Sequence, residues 1–147
     1  MYRFQDSSDG YVGQEKRGGL SFGLGILLAI AAGILLHWVP SQPRLDVYAV
    51  ALAAIGAVYV GSALAEKWGR IIFLEAAIAT TCIALALIGL WVSPLALIAG
   101  YILHGIWDFF HHPVHVGAQI PQRWYPPLCV GFDWAIALVI TLQYSLG

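Results

Sequence analysis

Five long apolar segments dominate this sequence and limit what it can fold into. They cover residues of about 20–39, 46–66, 71–92, 94–112 and 127–146. A helix needs about 20 mainly apolar residues to cross the hydrocarbon core of a bilayer, whereas a strand of a membrane barrel needs only about 10. Within lipid a helix also satisfies its own backbone hydrogen bonds. The sequence therefore predicts an all-α integral membrane bundle of five transmembrane helices.

Prolines interrupt the chain between these segments, at Pro40, Pro43, Pro94, Pro113, Pro126 and Pro127. Proline is tolerated in the first turn of a helix and disrupts its interior, so these positions indicate starts and stops. The shortest break, "VSPL", predicts that the third and fourth helices form an antiparallel hairpin. Residues 1–19 are polar and mixed in charge, and we interpret them as a retained cytoplasmic segment before a transmembrane domain of residues 20–147.

Basic residues are distributed unevenly between the two sides of this bundle. Arg44 alone falls on one side, and the other side holds Arg3, Lys16, Arg17, Lys67, Arg70 and Arg123. The positive-inside rule then predicts a cytoplasmic N-terminus and, with an odd number of helices, an external C-terminus in the cell membrane. A net charge of −1 offers no basic surface for phosphates, so nucleic acid is excluded and membrane lipid is the first partner.

Titratable side chains inside the apolar segments converge on one region. In "ILHGIWDFFHHP", a rotation of about 100° per residue places four of them on one helix face, namely His104, Asp108, His111 and His112. Glu75 and Asp133 are the only acids in the third and fifth segments. The alternating direction of the helices puts all six in the cytoplasmic half of the membrane, within about 10–12 Å of depth. His115 follows Pro113 and joins them only if the chain turns back.

This combination of side chains suits a metal ion. A lone charge in lipid costs several kcal/mol, so the acids must be protonated, paired with histidine or bound to a cation. Imidazole with carboxylate favours zinc or iron, with manganese also compatible. We predict metal ligands among Glu75, His104, Asp108, His111, His112 and Asp133, with Glu75 and Asp133 also catalytic. The simpler alternative is that these side chains hydrogen-bond to one another, or to water at the headgroup level.

Aromatic residues flank two of the acids, in "WD" at Trp107 and Asp108 and in "DW" at Asp133 and Trp134. With Cys129, these tryptophans could line a pocket for an acyl or isoprenoid chain, or hold a cationic head group by cation–π contact. Packing against neighbouring helices or lipid is the simpler interpretation.

The second segment carries small residues at four-residue intervals, namely Ala49, Ala53, Ala57, Gly61 and Ala65. Gly19 and Gly23 form a shorter version in the first segment. Such stripes let two helix backbones approach closely. The partner is either another helix of the same chain or a second copy in a homo-oligomer.

Three functions are compatible with these features. The leading one is a metal-dependent membrane enzyme, a hydrolase or oxidoreductase, that acts on a lipid-like or other hydrophobic small molecule. The second is a proton- or cation-coupled transporter or channel that uses the same acids and histidines. Against it, the outer halves of the helices hold no acid except Asp46, and no internal repeat is visible. The third is a structural subunit of a membrane complex.

The segments "HGIWDFFHH" and "WYPPLCVGFDWAIA" resemble small multi-pass membrane proteins of uncharacterised function, over about the last third of the chain. The segment "DFFHH" is also similar to one histidine box of membrane fatty-acid desaturases and hydroxylases. His111 and His112 match the paired histidines of that box, and Asp108 stands in the place of its first histidine. The second resemblance implies a two-iron centre, but this chain holds five histidines in total, fewer than the several boxes of that family require.

Overall fold

The computed structural model describes residues 8–66, 69–111, 117–118 and 123–146, with only the backbone described for residues 8–17 and 66. The described residues form helices, without a strand. The helices are α1 (Ser8–His37), α2 (Ser41–Glu66), α3 (Gly69–Trp91), α4 (Leu95–Phe109) and α5 (Tyr125–Leu146). The prediction of an all-α bundle of five helices is confirmed for this part of the chain.

Four of the helices are long and apolar enough to cross a membrane, over Gly18–His37, Ser41–Ala65, Gly69–Trp91 and Tyr125–Leu146. Large apolar side chains such as Leu20, Phe73 and Leu138 are exposed on their surfaces, as expected of a protein surrounded by lipid. α4 has 15 residues and is about 22 Å long, short of the roughly 30 Å hydrocarbon core. The fourth predicted span, about 94–112, is thus shorter as a regular α-helix. The chain is a membrane protein with four helices of spanning length and a shorter α4.

Proline positions explain where the helices start. α2 begins at Ser41 rather than near residue 46, and Pro43 lies in its first turn. α5 begins at Tyr125, with Pro126 and Pro127 likewise in the first turn. The missing N–H of proline costs no helical hydrogen bond in a first turn, so these prolines start helices rather than separate them.

The predicted hairpin of α3 and α4 is present. α3 ends at Trp91 and α4 begins at Leu95. Backbone hydrogen bonds from Ser93 N to Ile88 O and from Leu97 N to Pro94 O close the turn between them. The two helices pack against each other along their length. Pro113, which was predicted to end the fourth helix, lies outside the described residues.

α4 lies at the centre of the bundle. It packs against α5 and α3 and more lightly against α2, while α1 packs on α5 and α2 on α3. Glycine allows the closest of these approaches. A Cβ on Gly25 of α1 would overlap the Leu128 carbonyl of α5, and one on Gly131 of α5 would overlap the Phe22 carbonyl of α1. α1 and α5 are therefore in backbone contact at Gly25 and Gly131.

A hydrogen-bonded network ties four helices together near one end of the bundle. The Tyr101 hydroxyl of α4 donates to the Tyr48 carbonyl of α2 at 2.7 Å. The Tyr48 hydroxyl donates to Gln143 Oε1 of α5 at 3.1 Å, and Gln143 Nε2 donates to the Gly33 carbonyl of α1 at 3.2 Å. Because lipid supplies no competing water, such bonds hold helices together. The predicted polar residues lie toward the opposite end, where α2 and α4 end and α3 and α5 begin, which we call the site end.

The small-residue stripe of α2 turns gradually out of the bundle. Ala49 is buried, whereas Ala57, Gly61 and Ala65 are exposed, and a Cβ on Gly61 would meet nothing within 4 Å. The close contact between α2 and α3 occurs instead at Gly56, where a Cβ would lie 2.7 Å from Cys82 Cβ. A homo-oligomer formed through the exposed part of the stripe stays a prediction.

Candidate metal centre

Each predicted polar face turns toward the interior of the bundle. Residues one turn apart share a helix face, and α4 buries His104 and Asp108 in this way. The residues of α3 predicted to share one protein-facing stripe are all buried, namely Glu75, Ala79, Cys82, Ala86 and Gly89. On α5, Asp133 is buried together with Cys129 and Ala137. The helical periodicity of the sequence therefore located these faces correctly.

Three of the predicted ligands meet in one group, which we call the His104 cluster: His104, Asp108 and Asp133. The Nδ1 atom of His104 lies 2.7 Å from Asp133 Oδ2 and 3.2 Å from Asp108 Oδ2. His104 is 2% exposed and both acids are 0% exposed. An ionised carboxylate can only accept a hydrogen bond, so Nδ1 carries the hydrogen and donates it to Asp133.

This cluster holds polar atoms without partners. Among the described residues, no hydrogen bond reaches His104 Nε2, Asp108 Oδ2 or Asp133 Oδ1. In the same part of the chain, the ion-pair contacts of the two acids are all to histidine. Unpartnered buried polar atoms cost several kcal/mol in lipid. Two ionised carboxylates beside one neutral imidazole would carry a negative charge that a divalent cation neutralises.

The spacing of the cluster fits a coordination sphere. One ligand atom from each of the three residues lies within 4.8 Å of the others. With metal–ligand bonds of about 2.0–2.1 Å, neighbouring ligand atoms are about 3.3 Å apart in a tetrahedron and about 2.9 Å apart in an octahedron. The separations of 2.7 and 3.2 Å from His104 Nδ1 are close to these values. An ion held by these three residues would replace the hydrogen on His104 Nδ1.

Tyr59 of α2 joins this site, and the sequence analysis missed it. Its hydroxyl donates to Asp108 Oδ1 at 2.6 Å, and its side chain is buried. Its ring stacks on the His111 ring with centroids 3.9 Å apart and planes at 28°. Tyr59 shares the buried face of α2 with Leu52, Gly56 and Ala63. A tyrosine at this helical spacing among apolar residues is the signal that could have found it.

A second group, the Glu75 cluster, lies beside the first and consists of Glu75, Trp107, His111 and Ala118. Glu75 Oε1 accepts a hydrogen bond from the Ala118 N–H at 2.8 Å and lies 3.1 Å from His111 Nε2. Glu75 Oε2 accepts one from Trp107 Nε1 at 3.1 Å. Both carboxylate oxygens are therefore occupied by donors from α4 and from the chain that follows it.

Proton counting defines the charge of the Glu75 cluster. His111 Nδ1 lies 3.1 Å from the Trp107 carbonyl, which can only accept, so Nδ1 carries a hydrogen. A second hydrogen must lie between His111 Nε2 and Glu75 Oε1. Whichever of these two atoms holds that hydrogen, the pair carries no net charge. Gly117, at φ 87°, lets the backbone pass against both side chains, because a Cβ there would overlap Glu75.

The remaining predicted residues are placed as follows. His112 and His115 lie outside the described residues. Trp107 is half-buried and faces Glu75, and Cys129 is buried. Trp134 is 41% exposed and packs its indole over the bare backbone of Gly105. The structure thus brings His104, Asp108 and Asp133 together and puts Glu75 and His111 in a separate neighbouring group.

Replacing Glu75 by glutamine should destabilise the protein more than it weakens metal binding. An amide accepts on one side only, so either the Trp107 N–H or the Ala118 N–H would face an NH2 group. A buried donor left unpaired costs roughly 1–3 kcal/mol. We expect a lower unfolding temperature in detergent and a metal affinity near that of the parent. An unchanged unfolding temperature with lost metal would instead make Glu75 a ligand.

Comparison with known proteins gives a family but no activity. A family model described as a family of unknown function, DUF6010, matches residues 21–144. The match runs from residue 21, within α1, to residue 144, in the last turn of α5, and includes both clusters. Neither a curated protein nor a solved structure shows a significant match. The predicted likeness to a family of uncharacterised function is confirmed by this match. The likeness to a desaturase box stays a prediction. The chain belongs to the DUF6010 family of unknown function.

Proposed function

We propose that this chain is an integral membrane metalloprotein that holds one divalent transition metal ion between His104, Asp108 and Asp133. The single observation that carries the proposal is the group of buried, unpartnered polar atoms in that cluster. One nitrogen and two carboxylates suit zinc or iron, and manganese is compatible.

Charge balance supports an ion at this position. Two carboxylates and a neutral imidazole carry two negative charges, which a divalent ion neutralises. The adjoining Glu75 cluster is already neutral by its own pairing, and its acceptor atoms are occupied. Leaving two buried carboxylates with one imidazole would instead cost several kcal/mol. The His104 cluster is thus the better ion site of the two.

Three protein ligands suit catalysis, because they leave a coordination position for water or substrate. A metal ion there would lower the pKa of bound water or polarise a substrate oxygen. We therefore propose a metal-dependent hydrolase or oxidoreductase. Asp133 would serve as the catalytic carboxylate in addition to holding the ion.

A hydrophobic substrate suits the location of the cluster. The site lies inside helices that are apolar on their outer surfaces, and the exposed Trp134 directly follows the ligand Asp133. A lipid-like molecule could approach between α4 and α5, where the exposed Trp134 indole packs on Gly105. The distribution of basic residues assigns this end of the bundle to the cytoplasmic half of the cell membrane.

Transport is the less favoured class. A proton path needs side chains that pass hydrogen bonds across the whole membrane. One turn before His104 on α4, the Tyr101 hydroxyl donates to a backbone carbonyl, which cannot pass a proton on. Farther from the site, the buried side chains of Leu97 in α4 and Ile140 in α5 are apolar. These described residues provide no continuous chain of proton-passing groups beyond the site. Proton or metal flux into liposomes that is lost in Asp133→Asn would favour transport instead.

Metal analysis of protein purified without chelator tests the proposal. We expect about one ion per chain in the parent, and none in the His104→Ala, Asp108→Ala double variant, because the double variant removes the imidazole and one carboxylate. Tyr101→Phe is a matched control that removes a buried hydrogen bond from α4 to the Tyr48 carbonyl, with no hydrogen bond of the cluster changed, and should keep the ion. Transition metal at trace level only in the parent would overturn the proposal.

A further inference from the structure

Tyr59 is the only described side chain of α2 that hydrogen-bonds to the His104 cluster. Its hydroxyl donates to Asp108 Oδ1 at 2.6 Å, and it is 1% exposed. Phenol has no place among the usual ligands of zinc, so the role of Tyr59 must lie in its contact with Asp108.

The hydrogen bond from Tyr59 gives the two oxygens of Asp108 different roles. Oδ1 accepts from Tyr59, whereas Oδ2 lies 3.2 Å from His104 Nδ1 and has no hydrogen-bond partner among the described residues. A carboxylate can bind a metal through one oxygen or through both. The hydrogen bond from Tyr59 uses one lone pair of Oδ1, which leaves Oδ2 as the oxygen better placed to bind a metal.

The ring of Tyr59 is itself held in place. It stacks on His111 at 3.9 Å, and His111 is fixed by Glu75 and by the Trp107 carbonyl. The hydroxyl is therefore directed at Asp108 by packing before any ion binds. Hydrogen bonds that orient a ligand in this way tune both affinity and geometry.

On the basis of the proposed function, we infer that Tyr59 is a positioning residue that holds Asp108 as a single-oxygen ligand and so selects zinc over manganese. Zinc prefers four ligands that include nitrogen, whereas manganese prefers octahedral, oxygen-rich sites. If Asp108 binds through one oxygen only, the site disfavours the six-coordinate geometry that manganese prefers. Without the hydroxyl, Asp108 would be free to bind through both oxygens.

Tyr59→Phe tests this inference, because phenylalanine keeps the stacked ring and removes only the hydroxyl. Parent and variant are titrated with Zn²⁺ and Mn²⁺, and with Co²⁺ as a spectroscopic probe. Four-coordinate Co²⁺ absorbs visible light strongly and six-coordinate Co²⁺ weakly. We expect a strong spectrum in the parent, a weaker one in the variant, and a preference for Zn²⁺ over Mn²⁺ that falls by roughly 10-fold or more.

Tyr101→Phe is the matched control, since it also removes one buried tyrosine hydroxyl, at 0% exposure and bonded to the Tyr48 carbonyl. Its Co²⁺ spectrum and metal preference should equal those of the parent. A Tyr59→Phe protein with the parent's spectrum and preference would overturn the inference alone. A weak, six-coordinate spectrum in the parent would also overturn it, even if the variant did not fold. A parent that bound none of the three ions would overturn the proposed function, and this inference with it.

Discussion

Asp133→Asn protein should insert and purify like the parent but bind metal roughly 10- to 100-fold more weakly, or worse. Asparagine keeps the size of the side chain and removes its charge. His104 Nδ1 now donates to Asp133 Oδ2 at 2.7 Å, so the substitution removes one ligand oxygen and disturbs another ligand. Folding should survive, because a neutral amide costs less to bury in lipid than an unpaired carboxylate. Competition titration against a chelator measures the affinity.

Asp46→Asn provides the control for this experiment. Asp46 is an exposed acid of α2 that accepts a hydrogen bond from Gln42 at 3.1 Å. Its substitution removes the same charge at the other end of the bundle and should leave metal affinity unchanged. If Asp133→Asn retained metal fully and gained thermal stability, Asp133 would be a tolerated structural residue. Any site would then be confined to α4 and Glu75.

Gly25→Ala should destabilise the bundle strongly, whereas Gly23→Ala should not. A Cβ on Gly25 would overlap the Leu128 carbonyl and approach Phe132 N to 2.7 Å, and neither backbone atom can rotate away. α1 and α5 would have to separate, at a cost of at least 1–3 kcal/mol, about the range for overpacking. A Cβ on Gly23 meets nothing within 4 Å. There, alanine should be neutral or add up to about 1 kcal/mol of helix stability.

Thermal unfolding of the two glycine variants in detergent measures this difference. The two positions are in one helix and accept the same added methyl group, so any general effect of alanine in α1 cancels between them. Equal unfolding temperatures would show that α1 and α5 are not in backbone contact at Gly25.

The helices were predictable because lipid imposes a simple length rule on apolar segments. The fourth is a regular α-helix as far as Phe109, and "DFFHHP" continues the apolar and aromatic pattern beyond it. Phe110 and His111 form a π-helical turn there, and the His111 ring bonds to the Trp107 carbonyl.

The sequence predicted which helix faces carry the site but not which of its residues contact one another. Helical periodicity gives only the angle of each residue around the helix axis. It therefore places His104, Asp108 and His111 on one face. Their partners depend on how neighbouring helices pack, so Asp133 reaches His104 whereas Glu75 reaches His111. The same limit applies to the glycines of α1. Gly19 and Gly23 have the expected four-residue spacing but meet nothing within 4 Å, and the helix crossing falls on Gly25.

Anomalous X-ray diffraction from crystals of the parent protein, purified without chelator, tests the metal site most directly. The measurement locates an ion, and its absorption edge identifies the element. We predict one peak at about 2.0–2.2 Å from an imidazole nitrogen of His104 and from carboxylate oxygens of Asp108 and Asp133, at the zinc or iron edge. Well-ordered side chains with no anomalous peak between them, in protein of confirmed fold, would contradict the account. A peak at Glu75 and His111 instead would contradict it equally.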